Sequence, residues 1–206
     1  MSDKYLTAGQ RASYGVGRQM GEQLAAQPFD GVDPQSVADG VFDALSKNDS
    51  AISEQDLHAA FTEIEKIMQD KAAAQAEVAI KAGVEFLAEN AKRDDVTVLD
   101  SGLQYEVLSS GDGEKPVATS TVKTHYHGTL INGDVFDSSV ERGEPAQFAV
   151  NGVIAGWTEA LQIMPVGSKW RLFVPSDLAY GERGAGGQIG PHTTLIFDVE
   201  LLEIVS

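Results

Sequence analysis

The stretch from Asn151 to Gly167, NGVIAGWTEALQIMPVG, carries a tryptophan larger than a short helix needs as an anchor. Trp157, Ala160, Leu161 and Met164 follow offsets of three, four and seven, one face of a helix. The indole has two readings. It packs the helix onto a sheet as plain core, or it offers a flat apolar plate to a ligand. Gly152 and Gly156 would then let backbone come close. Asp137, in FDSS, opens an Asx turn or places a charge at a site. Tyr180, in LAYG, satisfies its own loop or donates its hydroxyl. His125 and His127 lie two apart and share a strand face, which could chelate a metal. Only His58 and His192 stand beside them and the chain has no cysteine. Exposed strand histidines are therefore the expectation, and no metal site is assigned.

Composition narrows the classes. The chain has 206 residues, 42% hydrophobic and 22% charged, enough for one large folded domain or two small ones. Without cysteine there are no disulfides, thiolate nucleophiles or thiolate metal sites. A formal net charge of −16 argues against nucleic-acid partners, whose phosphates need Lys and Arg. No apolar run reaches membrane-spanning length, so no membrane partner is expected. The N-terminal residues lack the apolar core of a secretory signal, and the cytoplasm is the expected address.

The elements that must position these residues fall into two halves. Residues 1–95 hold two of the seven prolines and seven of the 21 glycines. This half reads as helix. Val16, Met20 and Leu24 form one stripe, beside a small-residue stripe of Ser13, Gly17 and Gly21. Two glycines on a helix face cost roughly 1 kcal/mol each, so another backbone must come close, or the helix is loosely formed. Asp33-Pro34 opens a second helix with Val37, Val41 and Leu45. A third begins at Ser53, with Asp56 in capping-box position. Its stripe is Leu57, Phe61, Ile64 and Met68, resuming at Ile80, Val84, Leu87 and Ala91. Running to about residue 93, it would span roughly 60 Å. Two short helices cannot cover that length. A second copy of the chain must, which makes the protein a homodimer with a partly exposed spacer helix.

Residues 96–206 read as strands. LQYEVL alternates Leu103, Tyr105 and Val107 against Gln104, Glu106 and Leu108. VKTHYHGTL alternates too, and Asn132-Gly133 is a two-residue hairpin signal. KWRLFV is another strand, and TTLIFDVELLEIV sets Leu195, Phe197, Val199 and Leu201 on one face. The glycine-rich GERGAGGQIGP lacks the Gly-Lys-Ser/Thr of a phosphate cradle. The fold class is α+β: an all-α dimerisation domain with a long spacer helix, then an antiparallel sheet curled around a short helix.

The segments VKTHYHGTLINGDVFDSS, NGVIAGWTEAL, MPVGSKWRLFVPSDLAYGERG and TTLIFDVELLEI, in this order, resemble the FKBP family of macrolide-binding peptidyl-prolyl cis-trans isomerases. The resemblance covers residues 100–205. Residues 1–95 look like the helical domain of two-domain bacterial FKBPs, the Mip-like group and its roughly 22-kDa relatives. It implies a V-shaped homodimer with affinity for unfolded or partly folded proteins containing X-Pro bonds, macrolide inhibitors as pocket ligands, and no cofactor. The implied roles run as follows. Trp157 is the pocket floor. Tyr126, Phe136, Phe148 and Phe197 are aromatic walls; Val153, Ile154 and Ile189 are aliphatic ones. The Ile154 N–H and Tyr180 hydroxyl donate to substrate carbonyls. Asp137 sits at the rim, and Arg142 pairs with Asp137 and Tyr180. Ala146 and Gly190-Pro191 depart from single-domain members, which often have an aromatic residue and a Pro-Pro pair there. The alternative function is a holdase or binding module with a secondary pocket.

Overall fold

The computed structural model describes residues 5–26, 29 and 31–205. The chain divides into two compact units, residues 1–71 and 72–206. Among the described residues no helix is long and apolar enough to cross a membrane.

The first unit contains α1 (Ala8–Ala26), α2 (Pro34–Ser46) and the start of α3 (Glu54–Asn90). Each start is capped. Gln10 accepts from Leu6 and Thr7 N–H while the Thr7 hydroxyl accepts from Gln10 N–H, a capping box not anticipated from sequence. Asp33 accepts from Ser36 N–H at 2.7 Å with proline at the first turn of α2. The Ser53 hydroxyl accepts from Asp56 N–H at 3.1 Å. Among its described residues this unit lacks a core. Neither α1 nor α2 buries a residue. Val16 is 58% exposed and Leu45 81%. The two helices instead line one open apolar hollow with Met20, Leu24, Val37 and Val41. Gly17 and Gly21 line it as well, with nothing against them.

The second unit is a seven-stranded antiparallel sheet with the order β1-β2-β6-β7-β3-β4. The strands are β1 (Val96–Val98), β2 (Gln104–Ser109), β3 (Thr121–Leu130), β4 (Val135–Ser138), β5 (Ala146–Ala149), β6 (Lys169–Val174) and β7 (Leu195–Ile204). β3 is the hub. β7 pairs along one edge, while β5 and β4 share the other, at Thr121–Thr124 and His127–Thr129 respectively. Its alternation puts Val122, Thr124, Tyr126 and Gly128 inward, and β7 answers with Leu195, Phe197, Val199 and Leu201. Against this face lies α5 (Ala155–Ile163), burying Gly156, Trp157, Ala160 and Leu161. One turn of helix, α4 (Ser139–Arg142), follows β4.

The tail of α3 departs from the sequence pattern. Its buried positions are Gly83 and Asn90, whereas Ile80 and Val84, read as one stripe with Leu87, lie exposed. The outer face of the sheet supplies the reason. A Cβ on Gly83 would come 2.4 Å from Thr194 Oγ1, so the helix approaches through glycine rather than through its larger side chains. Phe86 meets Phe173 at 5.9 Å. Gln104, assigned to the outer face by alternation, is only 4% exposed because this tail covers it. It donates to Leu87 O at 2.9 Å and accepts from Asn90 Nδ2 at 2.9 Å. Asn90→Ala strips that acceptor of its buried donor. The expected cost is about 1–3 kcal/mol, read as a lower denaturant midpoint at unchanged m-value in urea unfolding of the full chain.

Candidate active site

Trp157 reaches its place because α5 starts with two small residues. Ile154 caps it with backbone alone, its carbonyl accepting from Trp157 N–H and Thr158 N–H at 3.0 Å each. A Cβ on Gly156 would lie 2.6 Å from Val174 Cγ1, so glycine lets the helix sit down on β6. The indole then meets three rings at near-perpendicular angles: Tyr126 at 5.4 Å, Phe148 at 5.7 Å and Phe197 at 5.3 Å. Phe136 stands edge-on to Phe197 at 5.4 Å. Such pairs contribute about 0.5–1.5 kcal/mol each beyond area burial. Gly128 makes the box possible, since a Cβ there would lie 2.6 Å from Phe136 Cζ and 3.1 Å from Phe197 Cε1.

The box is open on one side. Trp157 keeps only 4% of its surface, yet it lines a hollow of about 280 Å³ with Tyr126, Phe136, Asp137, Phe148 and Tyr180. Gly152, Val153, Ile154 and Phe197 complete the lining. The lining is apolar except at the rim. Tyr180 is 40% exposed, and its hydroxyl has no partner among the described residues. The Ile154 N–H is likewise unpartnered there. Two donors without partners among the described residues thus stand beside an aromatic floor.

Asp137 anchors the charged side of the rim. The Tyr126 hydroxyl donates to its Oδ2 and Arg142 Nη1 donates to its Oδ1. Arg142 Nη2 donates to the Tyr126 oxygen at 2.8 Å, with the guanidinium 5.6 Å above the Tyr126 ring. Burial pushes the Asp137 carboxyl upward, but the Tyr126 and Arg142 hydrogen bonds and the Arg142 charge outweigh it, holding the group below its ordinary value. Burial, then the Asp137 hydrogen bond, pushes the Tyr126 hydroxyl up. Asp137 is therefore ionised at neutral pH but neutralised by a cation.

Two expected placements differ. Ile189 does not line the hollow. Its N–H and carbonyl close a bridge to Ala185, and its side chain packs in the core. Arg142 reaches Tyr126, not Tyr180, because α4 follows β4 directly and β4 lies beside β3, which carries Tyr126. The histidines are half-buried rather than exposed. His125 Nδ1 lies 3.1 Å from Ser139 Oγ and His127 Nδ1 3.0 Å from Ser138 Oγ. Ser139 escaped notice in the sequence; its hydroxyl also accepts from Tyr126 N–H at 2.8 Å and fixes that residue.

Comparison with known proteins agrees with this geometry. A family model described as FKBP-type peptidyl-prolyl cis-trans isomerase matches residues 112–202. Another, for the domain amino terminal to that isomerase, matches residues 9–107. The chain is 49% identical over 195 residues to the FKBP-type 22 kDa peptidyl-prolyl cis-trans isomerase of Escherichia coli K12, covering 95% of each. It is 41% identical to the outer membrane protein MIP of Legionella longbeachae, covering 94% of this chain and 84% of that one. The crystal structure of FkpA from Escherichia coli superposes with TM-score 0.71 at 35% identity, covering 97% of this chain and 98% of that one. The expected cytoplasmic address does not survive, since one of these relatives is an outer membrane protein. An acidic, cysteine-free composition suits compartments on either side of a membrane, so it could not discriminate.

Tyr126→Phe removes one of the two donors that hold Asp137 ionised. The Asp137 pKa should rise relative to wild type while Arg142 remains, as read by carboxyl-detected NMR titration. An unchanged Asp137 titration would contradict the hydrogen-bond assignment.

Proposed function

The chain belongs to the FKBP-type peptidyl-prolyl cis-trans isomerase family, and from that premise we propose that the hollow over Trp157 is where an X–Pro bond turns. The protein is a prolyl isomerase acting on protein chains. The observation that carries the site reading is the open aromatic box with two unpartnered donors at its edge.

Rotation about an X–Pro amide faces about 18–20 kcal/mol because resonance gives the C–N bond partial double-bond character. The planar amide carries charge on oxygen, which water stabilises; the twisted amide is less polar. Trp157, Phe136, Phe148 and Phe197 surround the pyrrolidine with apolar surface and exclude water. The Ile154 N–H and Tyr180 hydroxyl hold flanking carbonyls of the substrate, fixing one side of the bond while the other rotates. Asp137 sets the field beside the rotating carbonyl, and Arg142 with Tyr126 fixes that carboxylate in place. Tighter binding of the twisted than of the planar bond accelerates the reaction. A gain of roughly 10⁵ needs about 7 kcal/mol, shared among several groups. Val153 completes the wall. Ala146 lies partly buried against the core and outside the lining of the hollow.

Residues 96–206 serve as the isomerase domain and residues 1–95 as the dimerisation and client-binding domain. The exposed apolar faces of α1 and α2, with glycines bare along one of them, support closure by a second copy. Exposed apolar residues along α3, such as Phe61 and Val84, support contact with unfolded clients. They also favour the second reading, a holdase whose pocket is secondary.

Asp137→Ala and Tyr180→Phe should each lower kcat/KM for an X–Pro peptide about 10-fold, or 1.4 kcal/mol, without abolishing it. Complete loss in either folded variant would contradict shared stabilisation. A holdase with a secondary pocket would refold a proline-limited protein equally well after both changes. Met20→Glu with Leu45→Glu should convert a sedimenting dimer to monomer, keep peptide activity and slow that refolding. A wild-type monomer would refute the closure of the helical unit by a second copy.

A further inference from the structure

Two Asn-Gly pairs stand in this chain, Asn132-Gly133 and Asn151-Gly152. Such a pair can close on itself. The glycine nitrogen attacks the asparagine side-chain carbonyl carbon, forming an N–Cγ bond. The Cγ–Nδ2 bond breaks, and ammonia leaves with the proton that the glycine nitrogen gave up. Water then opens the cyclic imide, adding hydroxyl to one carbonyl carbon and a proton to the ring nitrogen. One opening gives aspartate. The other gives isoaspartate, whose main chain is one methylene longer.

The two pairs stand in opposite circumstances. Asn132 is held at both ends of its amide: Nδ2 donates to Asp134 Oδ2 at 2.8 Å, and Oδ1 accepts from Asp134 N–H at 3.1 Å. Gly133 N–H donates to Leu130 O at 2.9 Å. Both the nucleophile and its target are occupied. Asn151 is exposed, and its side chain has no hydrogen-bond partner among the described residues. The Gly152 N–H has only the i−3 carbonyl of its own turn, Ala149 O, to donate to. They lie in a single 3₁₀ turn, Val150–Gly152, an element with weak hydrogen-bond geometry. The turn is pinned in front, where Val150 N–H donates to Ser120 O at 3.0 Å and Val150 O accepts from the Thr158 hydroxyl at 2.7 Å. It is pinned behind by the first bonds of α5, which accept at Ile154 O. Between those pins the Asn151 backbone can rotate to bring the Gly152 nitrogen onto Cγ.

We propose that Asn151 is a self-modification site whose conversion to isoaspartate disables the prolyl pocket. Gly152 and Val153 line the hollow, and the Ile154 N–H follows directly. An added methylene and a new carboxylate at residue 151 shift all three between fixed ends. The functional consequence rests on the isomerase reading above; the modification itself does not.

The test ages the full-length protein in mildly alkaline buffer at body temperature. Peptide mass mapping follows each Asn-Gly pair, isoaspartyl methyltransferase labelling reports isoaspartate, and X–Pro peptide isomerisation reports the pocket. Asn151 should convert well before Asn132, and activity should fall in step with the isoaspartate fraction. Converted protein should be roughly 10- to 100-fold slower, the scale of loss from ångström misplacement of catalytic groups. Asn151→Gln should start at wild-type activity and keep it through ageing. Conversion of Asn132 as fast as Asn151, or full activity with Asn151 converted, would overturn the proposal. Absence of activity in fresh protein would instead strike at the isomerase reading, with the order of conversion still read from mass.

Discussion

The structure turns on holding an indole by its back and edges while leaving part of one face uncovered. An apolar plate open to water is unfavourable, at about 25 cal/mol per Å² of exposed apolar surface. Three perpendicular rings and the sheet beneath α5 offset that penalty. Two missing side chains permit the arrangement. Gly156 lets α5 descend onto Val174, and Gly128 lets Phe136 and Phe197 close together over β3. A side chain at either point would push out an element of the box. The pocket is thus a property of the packing of β3, β7 and α5 together and of no single loop.

The charged rim follows the same logic of fixed placement. A lone carboxylate beside a dry pocket would drift toward protonation. Asp137 escapes this because a tyrosine and an arginine from the same hairpin region both donate to it. Both donors thereby lose freedom. Tyr126 is pinned at its hydroxyl by Arg142 and at its N–H by Ser139. The Tyr180 hydroxyl, by contrast, has no partner among the described residues. The rim therefore has one rigid side and one side with free donors, which suits a reaction in which one half of the substrate is held and the other turns.

The sheet was legible because its signals are local. Asn132-Gly133 sets the β3–β4 hairpin, and alternation in β3 and β7 separates inside from outside. The hairpin also contained an unread clue. With Gly128 opposite Asp137, Tyr126 lies two residues away on the same face, within diagonal reach of that carboxylate. What stayed hidden depended on distant contacts. Gln104 looks solvent-facing until the α3 tail arrives to satisfy it. The Ile80–Val84 stripe misleads because the tail approaches the sheet through Gly83, where close contact outweighs side-chain hydrophobicity. Ile189 was expected as a wall from the family resemblance alone, but a bridge to Ala185 turns it into the core.

The two units solve the burial problem in opposite ways. The sheet unit has enough strands to enclose its apolar face, and it leaves the hollow over Trp157 open. The helical unit has well-capped starts and clear stripes, but α1 and α2 bury no residue. The starts of its helices are specified locally by Thr7, Asp33 and Ser53. Isolated helices of 13 and 19 residues are marginal in water, which makes partner burial a condition of their stability. The pocket is complete within one unit, while the other carries the uncovered apolar helix faces. Local capping thus allows assembly and catalysis to reside in one chain without sharing residues.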